Sequence, residues 1–543
     1  MSAGGLLLIA TLAVPLAMTL ACLSARFRQH VLALLPFAAL PALPAALLGP
    51  VDMVVVFPQP FRMTLMLDQP GAILLGGSAV LWTAAGAYAS SYMRGNRAAA
   101  RFAVSWLLTL AGSIGLFIVA DVASFYLLFT MASLAAYGLI VHEETERAFH
   151  ASQIYVALAL VGEAFLLLAF VMLATTSPDP NPLIHEVVRS LPGSPLRDAT
   201  LALVLLGCAL KLGLVPLHVW LPLAHPAAPM PASAVLSGVL VKAGAIGLIR
   251  FLPFETPTSA WGDALTAIGL ITAYWGVAVG LTQQQAKVIL AYSTVSQMGL
   301  IAAIAGTGLS VGDTQAPSLA AYYGVHHMLA KGSLFLAVGI IAATGAARSR
   351  SVILLTAVLA VSLGGLPLTS GALAKLVAKP LFGYGLVSWL VTLAAVGSTV
   401  LMLHFLAIVS REQAADAEAV PPREQLIPWL VVASASLTIP WLLYPGLSGD
   451  TILSALQPSS LWKSAWPVAL GILLAMLLRR KRGYLPTIPQ GDIISLMEPH
   501  ARIMNRGGTA IERADSVLRL WPVAGALLAG IAILLIVALA AGR

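Results

Sequence analysis

Apolar runs of about 20 residues follow one another along the whole chain, separated by short polar stretches. A run of that length crosses the hydrocarbon core as a helix, whereas a membrane strand shows alternation over only about ten residues, so the pattern predicts helices and excludes a β-barrel. The expected helices lie near residues 4–24, 31–49, 70–93, 102–120, 122–142, 151–175, 200–222, 231–252, 260–281, 288–306, 319–344, 351–378, 384–409, 426–445, 464–479 and 519–540. The fold class is therefore an all-α polytopic membrane protein with about sixteen transmembrane helices. Arg26 and Arg28, rather than a small-residue cleavage site, follow the first run, which reads as a retained helix and not a signal peptide.

The polar stretches carry the charge. Arg26 and Arg28, then Arg94, Arg97 and Arg101, then Arg147, Lys287, Arg348, Arg350, Arg411, Arg423 and Arg479 to Arg482 follow odd-numbered helices; fewer basic residues follow the even ones. By the positive-inside rule the odd-numbered ends face the cytoplasm and both termini face the other side, as expected of a bacterial inner membrane protein. A chain of 543 residues that is 59% hydrophobic and 10% charged, with mean hydropathy +0.92, has no room for a large soluble domain. The net charge of +8 is spread over connections and is not a nucleic-acid surface. Cys22 and Cys208 lie in apolar runs without a CxxC, which argues against disulfides and iron–sulfur clusters. No Walker A, GxGxxG or HExxH sequence is found, so neither a cofactor nor a metal site is expected, and any redox chemistry belongs to partner subunits.

Several lysines sit inside the apolar runs: Lys211, Lys242, Lys331 and Lys375. Each costs roughly 2.5–3.5 kcal/mol at mid-membrane, and with Glu163 and the pair His326 and His327 they imply a path for protons or another cation. Adjacent histidines diverge by about 100° on a helix, and His327 shares a face with Lys331, four residues on. Lys287 stands at the cytoplasmic edge of its helix, while Asp121 and His404 are side candidates that cap or line water. Pro216, after Lys211, and Pro367, before Lys375, are expected to break their helices mid-membrane. Two broken helices, each with a nearby lysine and five helices apart, fit an internal duplication.

Leu210-Lys-Leu-Gly-Leu-Val-Pro-Leu-His-Val-Trp-Leu-Pro-Leu-Ala-His-Pro-Ala-Ala-Pro229, continuing to Ser233-Ala-Val-Leu-Ser-Gly-Val-Leu-Val-Lys242, resembles the signature of the antiporter-like subunits of respiratory complex I. Lys287-Val-Ile-Leu-Ala-Tyr-Ser-Thr-Val-Ser-Gln-Met-Gly299, His327-Met-Leu-Ala-Lys331 and Gly365-Leu-Pro-Leu-Thr-Ser-Gly-Ala-Leu-Ala-Lys375 are similar too, in order, over roughly residues 65–410. The superfamily also holds Mrp-type antiporter, membrane-bound hydrogenase and inorganic-carbon uptake subunits.

The resemblance implies a fourteen-helix core with two inverted five-helix repeats, at 102–252 and 260–409, between N-terminal helices (1–101) and C-terminal core helices (410–479). An interfacial amphipathic segment (480–518, with Arg502, Arg506 and Arg513) and a last helix (519–543) would complete the chain. It further implies a proton path through Lys211, Lys242, His327, Lys331 and Lys375 in a complex with other membrane subunits, moving protons or Na+ across the lipid bilayer. One position departs from the pattern. The usual glutamate of the fifth helix is Thr130 here, and Glu163 on the sixth is the expected substitute partner of Lys211. The implied function is a proton-translocating subunit related to NADH-quinone oxidoreductase; the alternatives are a subunit of an Mrp-type or carbon-uptake complex, or a non-conducting scaffold.

Overall fold

The computed structural model describes residues 2–57, 62–177, 179, 181–479 and 488–493. The chain divides into two units, Met1–Gln490, which carries every helix and strand named below, and Gly491–Arg543. In chain order the principal helices are α1 (Ala3–Ala21), α2 (Gln69–Tyr92), α3 (Ala99–Gly115), α4 (Val122–Ile140), α5 (Glu146–Ala174), α6 (Ile184–Ser190), α7 (Arg197–Leu212) and α8 (Trp220–Ala227). Then come α9 (Met230–Phe251), α10 (Ser259–Gly280), α11 (Ala286–Val311), α12 (Ala316–Ala342), α13 (Arg350–Gly364), α14 (Ser370–Ala378), α15 (Leu386–Val409), α16 (Arg423–Ser448) and α17 (Pro458–Arg479). The first fifteen expected spans all have counterparts among these and in the bent apolar segment Val31–Leu47, which Pro36, Pro41 and Pro44 divide into short pieces. The expected helix at 519–540 and most of the interfacial segment 480–518 lie outside the described residues. Eleven described helices are long and apolar enough to cross a bilayer, and the chain is an integral membrane protein.

Short polar residues set several helix starts by satisfying amides that a first turn leaves unpaired. Ser2 accepts from the Gly5 amide at 3.1 Å, Asp68 from Gly71 at 2.8 Å, and Thr145 from Ala148 at 3.1 Å. Asp121 does more than cap: its carboxylate accepts from the amides of Ser124 (2.8 Å) and Thr64 (2.7 Å) and from Asn181 Nδ2 (2.9 Å). Three separate stretches of chain thus meet on one buried carboxylate. Asp121→Ala removes all three bonds, and a loss of about 3 kcal/mol is expected; it is to be read as a lower unfolding temperature of the detergent-purified chain.

Thr64 belongs to an element the hydrophobic pattern did not predict. Val51–Val55 and Thr64–Leu67 pair as an antiparallel hairpin, β1 and β2, joined to the chain after α3 through a bridge from Leu65 to Val119. The strands, five and four residues long, are too short to show a period of two. Arg250, at the end of α9, clamps this region: its guanidinium donates to Phe117 O (2.8 Å) and Val119 O (2.5 Å) and meets Asp68 Oδ1 at 3.2 Å.

Both expected breaks exist, with their starting points moved. α7 ends at Gly213 (φ 74°) and α13 at Gly365 (φ 97°), each in the left-handed conformation that closes a helix, and Pro216 and Pro367 follow in the unwound chain. Glycine stops each helix, and the proline prevents its resumption. The broken spans α7–α8 and α13–α14 each hold fourth place in a run of five, α3 to α9 and α10 to α15, when the short α6 is set aside.

The interior is built on close backbone contact. Gly262, Gly269 and Gly276 recur every seven residues on α10 and face Gly306, Gly299 and Ser296 on α11. A β-carbon on Gly269 would stand 2.5 Å from Gly299 O, and one on Gly299 would press as hard on Gly269 O. α9, α11 and α12 are almost wholly enclosed by other helices, so polar groups on them face protein and not lipid.

Candidate functional site

Lys211 occupies the last turn of α7, one turn before the unwound chain, where free carbonyls and the helix dipole favour a cation. Its Nζ donates to Ser133 Oγ at 2.7 Å and reaches Tyr155 OH at 3.4 Å, and it lies 5.4 Å and 5.6 Å from the ring centres of Phe129 and Tyr155. Tyr155 OH in turn donates to Ser133 O at 2.9 Å, which fixes both partners of the lysine. A cavity of about 10 Å³, lined by Ser133, Tyr155, Gly162, Lys211 and Trp220, adjoins this group. It is about the size that holds one water.

Glu163, on α5, is buried, and the polar groups facing its carboxyl are Lys211, Ser133 and Thr130. The lysine is bonded to Ser133, a hydroxyl that also faces the carboxyl. Glu163 Oε1 and Thr130 Oγ1 make no hydrogen bond. Thr130 of α4 and Glu163 of α5 therefore share one site, and the Glu163 carboxyl faces Lys211 there.

The central group depends on a local change of helix type. Residues Leu236–Leu240 of α9 form a π-helical turn, in which Val241 N reaches back to Leu236 O. The widened turn leaves the Ser237 carbonyl available, and Lys242 Nζ takes it at 3.3 Å while lying 2.5 Å from His327 Nδ1. Ser237 Oγ bonds Thr294 Oγ1 at 2.8 Å, tying α9 to α11. Lys331, one turn beyond His327 on α12, donates to Leu290 O at 2.9 Å. His225 of α8 is fully buried with Lys331, Lys287 and Lys242 as its charged neighbours, and neither ring nitrogen is hydrogen-bonded.

His326 points away from His327, as the helical spacing requires, and reaches the second break: its Nδ1 lies 2.9 Å from Ser370 Oγ, which lies 3.2 Å from Ser362 Oγ. Lys375 Nζ donates to Leu363 O at 2.7 Å, one of the carbonyls that the end of α13 leaves without an intrahelical partner. Lys375 and Lys242 are the charged neighbours of His326. The two histidines thus face different neighbours, His327 toward Lys242 and His326 toward Ser370 at the second break; the sequence pattern favoured His327 because it compared faces only with Lys331.

Lys287 bonds Ala228 O at 2.6 Å near the cytoplasm-assigned edge, with Glu143, Arg147 and Glu412 around it. Burial pushes the Glu412 carboxyl above its ordinary range, while the Ala286 amide and Lys287 draw it back. His404 holds the Gln283 carbonyl at 2.7 Å and anchors the turn between α10 and α11. Ser133, Tyr155, His225 and the pair Ser362 and Ser370 escaped the sequence pattern. His225 and Ser370 lie inside the segments that carry the resemblance; a serine or tyrosine in an apolar helix is otherwise too common to be a signal.

Among the described residues no cluster of metal-ligating side chains occurs. The arrangement supplies proton donors and acceptors in buried, hydrogen-bonded groups that lie along both breaks and the enclosed helices between them.

Residues 119–402 match the family model described as the transmembrane region of NADH:quinone oxidoreductase and Mrp antiporters. Hydrogenase-4 component B of Escherichia coli K12 is 32% identical over 308 residues, covering 54% of this chain and 45% of that one. A relative from Bacillus subtilis 168, one of the subunits of a Na(+)/H(+) antiporter, is 32% identical over 251 residues, 44% of this chain and 31% of its own. The chain thus spans less than half the length of these two relatives. A chain of the Mrp complex from Dietzia sp. DQ12-45-1b shares the fold, with TM-score 0.76 and 22% identity over 100% of this chain and 63% of that one.

Proposed function

Because the chain belongs to the family of transmembrane subunits common to NADH:quinone oxidoreductase and Mrp antiporters, we propose that it is a proton-translocating subunit of a multisubunit membrane complex. The observation that carries this reading is the set of buried ionisable side chains, Glu163 with Lys211, Lys242 with His327 and Lys331, and His326 with Lys375, distributed over two broken helices and the enclosed helices between them. A buried lysine held by neutral oxygens changes protonation when a neighbouring charge moves, because the low dielectric leaves that charge poorly screened. Moving one charge against 100 mV takes about 2.3 kcal/mol, a cost that such changes can match. Glu163 replaces the fifth-helix glutamate as the charge that modulates Lys211. The energy comes from chemistry in partner subunits, and the complex lies in a bacterial inner membrane with both termini of this chain on the non-cytoplasmic side.

An Mrp-type cation/proton antiporter is the second reading, favoured by the likeness of fold over the full chain. Dependence of transport on sodium discriminates between them.

The test is proton uptake by vesicles holding the native complex, comparing wild type with Lys211→Ala and Glu163→Gln at matched assembly. Both variants are expected to lower the rate by about 10²-fold, the usual contribution of a positioned acid or base. Unchanged uptake in both would make the chain a scaffold, with the ion crossing elsewhere.

A further inference from the structure

Three lysines share one cavity beside the second break. Lys375 of α14, Lys379 just beyond it and Lys463 of α17 line a space of about 50 Å³ together with Leu376, Phe382 and Ser388. With roughly 10–15 Å³ needed per water, it has room for a few waters or one tetrahedral anion. No carboxylate lines it, and none of the three lysines is ion-paired among the described residues. Lys379 and Lys463 are near enough to repel each other. A concave site with three ammonium groups and, among the described residues, no counter-charge is built for an anion.

Its surroundings identify the anion's source. Tyr384 and Trp389 flank the start of α15, and Trp462 lies in the first turns of α17, with exposures of 102%, 60% and 68%. Trp389 and Trp466 stand 6.4 Å apart, linking the two helices at that level. Exposed tryptophan and tyrosine at helix ends mark headgroup depth, and ammonium groups clustered there attract the phosphate of an anionic lipid. Below them Leu393 and Leu470 present apolar side chains outward, as acyl chains require.

We propose that this cavity binds the phosphate of an anionic phospholipid, with Lys379 and Lys463 gripping the headgroup and Lys375 at its floor. The site stands whatever ion the protein moves. Only its further consequence, that the bound phosphate sets the charge around the last lysine of the path, rests on the reading above.

The test is native mass spectrometry of the full-length chain, purified in detergent and equilibrated with phosphatidylglycerol or phosphatidylcholine, with and without inorganic phosphate. Wild type is expected to retain one phosphatidylglycerol in preference to phosphatidylcholine. The double variant Lys379→Gln/Lys463→Gln should retain it about tenfold less or worse, while the charge-matched control Arg26→Gln/Arg28→Gln retains it as wild type does. Equal retention by both variants, equal retention of the two lipids, or an equal loss in the control would overturn the proposal. So would displacement of the lipid by millimolar phosphate, which would assign the site to the free anion. Carbodiimide coupling of Lys379 or Lys463 to another protein of the native complex would assign it to that partner's carboxylate, and would overturn it as well.

Discussion

Vesicles carrying the native complex with Lys242→Arg will take up protons no faster than those with Lys242→Ala, each about 10²-fold below wild type. Lys242 is fully buried, 2.5 Å from His327 Nδ1, and its other partner is a backbone carbonyl. An amine and an imidazole in contact can pass a proton from one to the other, since each can donate or accept one. Arginine keeps the positive charge and the donors but stays protonated at every accessible pH. A static role, balancing charge or bracing the π-helical turn, would survive that exchange; a relay role would not. His327→Gln should give a drop of similar size, and the double variant little further loss, because the two act as one unit. The measurement is the initial rate of internal acidification at matched assembly. More than half the wild-type rate in Lys242→Arg would remove Lys242 from the path.

Gly269→Leu will keep the chain from accumulating in the membrane in folded form. The new β-carbon would meet Gly299 O at 2.5 Å and Ala303 N at 2.7 Å, both backbone atoms that cannot turn aside. α10 and α11 would have to separate along their length, and Gly262 and Gly276, in the same row, would lose their contacts as well. Overpacking of this kind costs at least about 3 kcal/mol. Gly193→Leu is the control, since a β-carbon there meets nothing within 4 Å. Fluorescence-detected size exclusion should show a normal peak for Gly193→Leu and an aggregated or absent one for Gly269→Leu; equal peaks would mean that the helices do not lie so close.

The spans were legible because an apolar run of membrane length has few other readings, and a lysine inside one is conspicuous at a cost of roughly 2.5–3.5 kcal/mol. Lys211, Lys242, Lys331 and Lys375 could therefore be chosen from the sequence, and all are now seen against buried oxygens or imidazole. What the sequence hid was mostly tertiary. Ser133 holds Lys211 across 78 positions, and Ser370 meets His326 across 44, and nothing local distinguishes either serine from its neighbours. The π-helical turn at Leu236–Leu240 was hidden as well, since its residues are ordinary helix formers and the extra residue shows only in the hydrogen bonds. Pro216 and Pro367 drew attention to the breaks and obscured their start, because a proline is a stronger signal than the glycine before it.

The clamp formed by Arg250 bears on how the chain is made. Asp68 waits at the head of α2 for a guanidinium 182 positions later, and until that residue emerges the carbonyls of Phe117 and Val119 lack their donor. At roughly 5–20 residues per second, the ribosome needs on the order of 10–40 s to supply it. During that interval the hairpin and the helices before α9 lack the side chain that joins them. The junction can close only once Arg250 has been made, so the end of α9 is the earliest point in synthesis at which the first half of the protein can complete this contact.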